Sequence, residues 1–94
     1  MWNFRIQLTK SAVDDLSSIP NDEREKILSD IKELSANPLL LGSNIKKLRG
    51  LKPPLYRLRS GDYRVLYRVQ GDMVTIMRVI DRKDLERIIK RIKL

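Results

Sequence analysis

The chain has 94 residues, with 20 Lys and Arg against 12 Asp and Glu, 41% hydrophobic residues, and neither histidine nor cysteine. This composition excludes disulfide scaffolds, thiolate nucleophiles and imidazole acid–base catalysis. It is consistent with one globular domain over residues 1–94, and the lack of a membrane-length apolar run or a signal-peptide pattern points to a soluble, cytoplasmic protein. Of the net charge of +8, residues 1–38 contribute −2 and residues 39–94 contribute +10, so an acidic scaffold precedes a strongly basic half whose partners are polyanions or acidic proteins.

In chain order, Trp2, Phe4 and Ile6 alternate with Asn3, Arg5 and Gln7, the period of a half-buried strand. Thr9 or Ser11 can cap a short helix with the stripe Ala12, Val13, Leu16 and Ile19. Pro20 ends that element and Asn21 can cap a second helix, from 22 to about 36, with the stripe Ile27, Leu28, Ile31 and Leu34. Asp22 and Glu23 suit its positive N-terminus, and Asn37-Pro38 stops it. Residues 38–54 read as a loop punctuated by glycine and proline. Its Lys46, Lys47, Arg49 and Lys52 are candidate phosphate-backbone contacts, although for any single lysine here a solvated surface charge is the more common reading.

Residues 55–68, Leu-Tyr-Arg-Leu-Arg-Ser-Gly-Asp-Tyr-Arg-Val-Leu-Tyr-Arg, read as a hairpin turning at Gly61-Asp62. A two-residue loop sets Ser60 opposite Tyr63, Arg59 opposite Arg64 and Arg57 opposite Leu66. Alternation then gathers Arg57, Arg59, Arg64 and Arg68 on one face and Tyr56, Leu58, Tyr63, Val65 and Tyr67 on the other. Like charges facing each other cost stability. A surface that meets phosphates explains them, because guanidinium binds phosphate in a bidentate fashion. The plainer explanation is a solvated face whose arginine stems cover apolar neighbours. A second turn at Gln70-Gly71-Asp72 leads to a strand over 73–80. A three-residue loop there brings Arg78 opposite Arg64 and onto the arginine face, and places Met73, Met77 and Val79 in the core.

Asp81 reads as the cap of a last helix with the stripe Leu85, Ile88, Ile89 and Ile92 and an otherwise basic surface. Such a helix could lie on a membrane, but it has a sheet to cover. Arg82 and Lys83 fall where strand meets helix, and can point into the same basic pocket as Arg64 and Arg78. The fold class expected is α+β: a small antiparallel sheet, made of an N-terminal strand and a three-stranded meander, with an N-terminal helical hairpin and a C-terminal helix.

Three stretches together resemble the RelE family of the RelE/ParE toxin–antitoxin superfamily: residues 47–50, Lys-Leu-Arg-Gly; residues 56–67, from Tyr56 through Ser60-Gly61-Asp62 to Tyr67; and residues 79–83, Val-Ile-Asp-Arg-Lys. The likeness extends over nearly the whole chain, including residues 9–13 and the helix ending at Asn37-Pro38. The resemblance implies a toxin that cleaves messenger RNA in the ribosomal A site, without metal or cofactor, and is neutralised by a cognate acidic antitoxin. By the same resemblance Arg57 and Arg64 match active-site positions, and Lys83, with Arg82 beside it, matches the basic catalytic position after the last strand. Lys46, Lys47, Arg49, Lys52, Arg59, Arg68 and Arg78 are expected as RNA contacts from the basic loop and arginine face themselves. The superfamily also holds gyrase poisons, so a ParE-like inhibitor or a degenerate toxin that still binds an antitoxin is the alternative, as is a general RNA-binding protein. The chain departs from well-studied RelE proteins in carrying Arg57 in place of a lysine and Ile89 in place of a tyrosine. Arginine stays protonated and isoleucine cannot donate a proton, so these positions offer charge rather than proton transfer.

Overall fold

Alternating strands, two glycine turns and three short amphipathic helices assemble into one five-stranded sheet with helices on both faces. The computed structural model describes residues 3–48 and 50–93. The elements are β1 (Arg5–Leu8), α1 (Lys10–Ser17), α2 (Asn21–Glu33), β2 (Ile45–Leu48), β3 (Leu55–Ser60), β4 (Tyr63–Gln70), β5 (Met73–Asp81), a 3-10 turn (Arg82–Asp84) and α3 (Leu85–Lys93). The strand order is β1-β5-β4-β3-β2. The expected α+β architecture is present, with two differences in the sheet. β1 runs parallel to β5, Ile6 beside Val74, so the sheet is mixed. A fifth strand, β2, lies in the stretch read as loop and pairs antiparallel with β3, Lys46 opposite Arg57. Four residues of the pattern Ile-Lys-Lys-Leu do not alternate, which is why this strand gives no period-two signal.

Thr9 caps α1 as expected, its hydroxyl accepting from the Ala12 N–H at 3.1 Å. α2 starts one residue early. Asn21 is its first helical residue, and Pro20, with no side-chain bond to give, stands at the cap. The helical hairpin buries Ala12, Leu16, Ile19, Ile27, Ile31 and Leu34 against Leu58, Val65, Tyr67, Val74, Ile76 and Val79 of one sheet face. Val13 and Leu28, expected in the stripes, stay about half exposed. A smaller cluster on the opposite face seats α3, with Ile88 over Leu55, Leu66 and Ile80. Trp2 and Arg49 lie outside the described residues, as does the Ile92 side chain.

The two hairpins differ in fidelity to the expected register. The β3–β4 turn is a two-residue loop, with Ser60 opposite Tyr63 and Arg59 opposite Arg64; Gly61 takes φ +58°, which favours glycine. The β4–β5 loop is also two residues long rather than three, pairing Gln70 with Met73. A bulge between Leu66 and Tyr67 absorbs the shift, so Arg64 faces Ile80, and Arg78 faces Leu66. Val79 reaches the main core as expected, whereas Met77 packs in the smaller cluster under α3 and Met73 pairs with Gln70 on that same side.

Candidate functional site

The register places Lys46, Arg57, Arg59 and Arg64 on a single sheet face. α3 covers the apolar part of that face and leaves the end near the Gly61-Asp62 turn open. Arg82 enters from the end of β5. Its backbone N–H donates to the Asp62 carbonyl at 2.9 Å, and its guanidinium lies 3.9 Å from the Asp62 carboxylate. Electrostatics confirm the crowding. Burial, then the charges of Arg57, Arg59 and Arg82, hold the pKa of Arg64 below the usual guanidinium range, with Asp62 opposing. Burial, then Arg59, does the same to Arg57. Both groups remain fully protonated at neutral pH. What the shifts record is positive charge held partly dehydrated and beside positive charge, a state that an incoming anion relieves.

The hydrogen-bonding capacity of these groups is largely unspent. Arg57 reaches the Ser43 carbonyl with one Nη at 3.4 Å, while its Nε is buried without a partner. Arg64 uses a single nitrogen, Nη1, on the carbonyls of Gly61 and Tyr63 at 3.0 and 2.9 Å. Asp62 is the one carboxylate that contacts the cluster among the described residues, and its ion pair with Arg82 is long and exposed. Asp62, read from the sequence only as a turn residue, thus docks Arg82 onto the hairpin.

The other expected contacts are distributed differently. Lys83 is exposed just beyond Arg82, its N–H donating to the Asp81 carboxylate at 3.0 Å. Lys47 stands opposite Tyr56 and so on the other sheet face from Lys46. Lys46, Lys47 and Lys52 line a groove of about 970 Å³ along the free edge of β2, floored by Ile45, Leu48 and Leu51. Arg68 is on the arginine face but about 13 Å further along β4 than Arg64, past buried Leu66; its Nε is also buried and unpartnered.

Arg78 corrects an expectation. Its register partner is Leu66 rather than Arg64; this keeps it on the arginine face, but its guanidinium is bound by Asp15 of α1 and so does not stand with the cluster. Asp15 accepts from its Nε at 2.7 Å and its Nη2 at 3.1 Å, and from the Val79 N–H at 2.9 Å. The Asp15 hydrogen bond holds the Arg78 pKa above its ordinary value despite partial burial. The partner is 63 residues away in the chain, so no local signal reveals the pairing. Among the described residues no group of three potential metal ligands exists, and no helix is long and apolar enough to cross a membrane.

Residues 6–86 match the family of ParE toxins of type II toxin–antitoxin systems, parDE. Toxin RelE3 of Methanocaldococcus jannaschii is 35% identical over 86 residues, covering 87% of this chain and 94% of the relative. The chain belongs to the RelE family of the RelE/ParE toxins. The fold agrees: the archaeal RelE–RelB complex from Pyrococcus horikoshii matches with a TM-score of 0.73 at 30% identity, over 85% of this chain and 96% of the matched one. A free-state variant of the E. coli toxin RelE also gives 0.73, at 26% identity over 96% and 98%. In this RelE-family chain, the residues quoted for the resemblance on the β3–β4 hairpin are those that build the arginine cluster.

Proposed function

We propose that this type II toxin is a ribosome-dependent endoribonuclease that cleaves messenger RNA in the A site. The observation that carries the reading is the cluster of Arg57, Arg59, Arg64 and Arg82, gathered on one face with unspent donors and a single long carboxylate contact. In the reaction the 2′-oxygen attacks the adjacent phosphorus and the bond to the 5′-oxygen breaks. A 2′,3′-cyclic phosphate and a 5′-hydroxyl result. The 2′-hydroxyl proton passes to water and the leaving oxygen takes one from water. Arg57 and Arg64 stabilise the extra negative charge of the pentacoordinate phosphate, and Arg82 and Lys83 steady the flanking phosphates. The ribosome orients the substrate, which lowers what the protein must supply. Lys46, Lys47 and Lys52 follow the RNA backbone outward.

The partner that silences this site is an acidic antitoxin. RelE relatives have been solved as RelE–RelB complexes, and carboxylates against the arginine face would neutralise the field that RNA requires. The site of action is the cytoplasm, where translation runs. The decisive experiment is a ribosome assay with purified protein and a translated message. Cuts inside codons that disappear with Arg64→Ala support the reading, and intact message with a fully folded, otherwise active toxin removes it. A gyrase-directed poison is the second reading, favoured by the ParE family match and by the lack of a proton-accepting side chain at Arg57 and of a proton-donating one at Ile89. It produces DNA damage with intact messages.

A further inference from the structure

The tip of the β3–β4 hairpin has a difficulty of its own making. Arg59 and Arg64 are cross-strand partners, and like charges directly opposite one another push the strands apart. The next cross-strand pair, Ser60 and Tyr63, flanks the turn. Both side chains reach back to α2. Ser60, 2% exposed, donates to the Asp30 carboxylate at 2.6 Å. Tyr63 lies beside Glu23, whose carboxylate is the largest cause of its raised pKa. Glu23 and Asp30 are seven residues apart, two helical turns, and so share one face of α2.

We infer that Glu23 and Asp30 are positioning residues for the arginine cluster: together they clamp the hairpin tip from the core side and keep Arg59 and Arg64 side by side on the opposite face. This rests on the phosphate-binding reading above and adds to it a role for acidic residues that never touch the RNA. Carboxylates so near a cationic site would ordinarily weaken its field. Here Lys26 lies 2.9 Å from Asp30, between the two acids in sequence, and offsets that charge. The clamp therefore supplies geometry with little neutralisation. Ser60 fits the same logic, since a buried hydroxyl is costly unless its hydrogen bond is made.

The test uses the full chain and a short, non-cleavable 2′-O-methyl oligouridylate, with pyrophosphate as a second probe. Affinity, thermal midpoint and the Nε–H resonances of Arg59 and Arg64 are measured together. Asp30→Ala combined with Tyr63→Phe is expected to weaken both probes about tenfold and to shift both arginine resonances. Asp30→Asn keeps an oxygen for Ser60 and should return affinity to within about twofold of the parent, although the charge is gone. If the double variant does not fold, the single variants decide. Unchanged affinity and unchanged arginine resonances in folded variants overturn the clamp, as does failure of Asp30→Asn to restore either. Should the parent bind neither probe, the phosphate reading falls, and the clamp is judged on the arginine resonances alone.

Discussion

Arg78 and Arg64 lie on adjacent strands of one sheet, yet they occupy opposite electrostatic situations. Arg78 is held by Asp15 through two guanidinium nitrogens, and the same carboxylate takes the Val79 N–H. Among the described residues Arg64 hydrogen-bonds only carbonyls near its own turn, and it is surrounded by Arg57, Arg59 and Arg82. The first arginine ties α1 to β5. The second belongs to a surface left short of negative charge. Counting arginines does not separate structure from site; locating the nearest carboxylate does.

That contrast can be broken from either end. The largest effect is expected at the exposed end. Arg64→Ala should lower ribosome-dependent cleavage about 10²–10³-fold while leaving the thermal midpoint within a few degrees. A comparable loss of activity from Arg78→Gln would erase the distinction. Next comes Asp15→Ala, which strands the Arg78 guanidinium and the Val79 N–H. It should cost about 2–3 kcal/mol in chemical denaturation, with specific activity of the folded fraction retained.

Tyr67 provides a third, smaller test. Its hydroxyl donates to the Pro38 carbonyl in the core, and its ring stacks on Tyr56 at 5.6 Å. Tyr67→Phe should cost about 1–2 kcal/mol. Burial, then Tyr56, raises the Tyr67 pKa above the ordinary phenol value, and the Glu23 carboxylate raises that of Tyr63. A raised pKa means that the folded state holds its proton longer than the unfolded one. The associated stability is therefore complete below about pH 10 and lost as pH rises beyond it. Stability measured from pH 7 to 9 should be flat with respect to these groups, with an alkaline decline that Tyr67→Phe reduces. The smallest effect is in salt dependence. Removing the charge of Arg64 should flatten the slope of log affinity for RNA against log salt by just under one, and Arg78→Gln should leave it unchanged.

Much of the fold was legible because its signals are local. Gly61-Asp62 between alternating runs specified the β3–β4 register and thereby the shared face of Arg57, Arg59 and Arg64. Thr9, Asp81 and the Leu85–Ile88 spacing announced helices by caps and period. What was illegible is non-local. The bulge opposite Leu66 cannot be read from Met73 onward, because residues 73–80 carry apolar side chains at both odd and even positions, so alternation does not choose which set faces the main core. Asp15 gives no hint that its partner is Arg78, and Ile45–Leu48 lacks any period. Glu23 and Asp30 did carry a readable sign, their seven-residue spacing, but acidic residues on a helix surface are common enough to pass as solubility.

The parallel seam between β1 and β5 has one more consequence. Arg5 through Leu8 align with Met73 through Ile76, so the earliest-made strand is bordered by the latest. Contacts of such long sequence separation form slowly, and during synthesis the neighbour of β1 does not yet exist. The sheet closes only after β5 has been made, so β1 waits without its neighbour while residues 9–72 are synthesised.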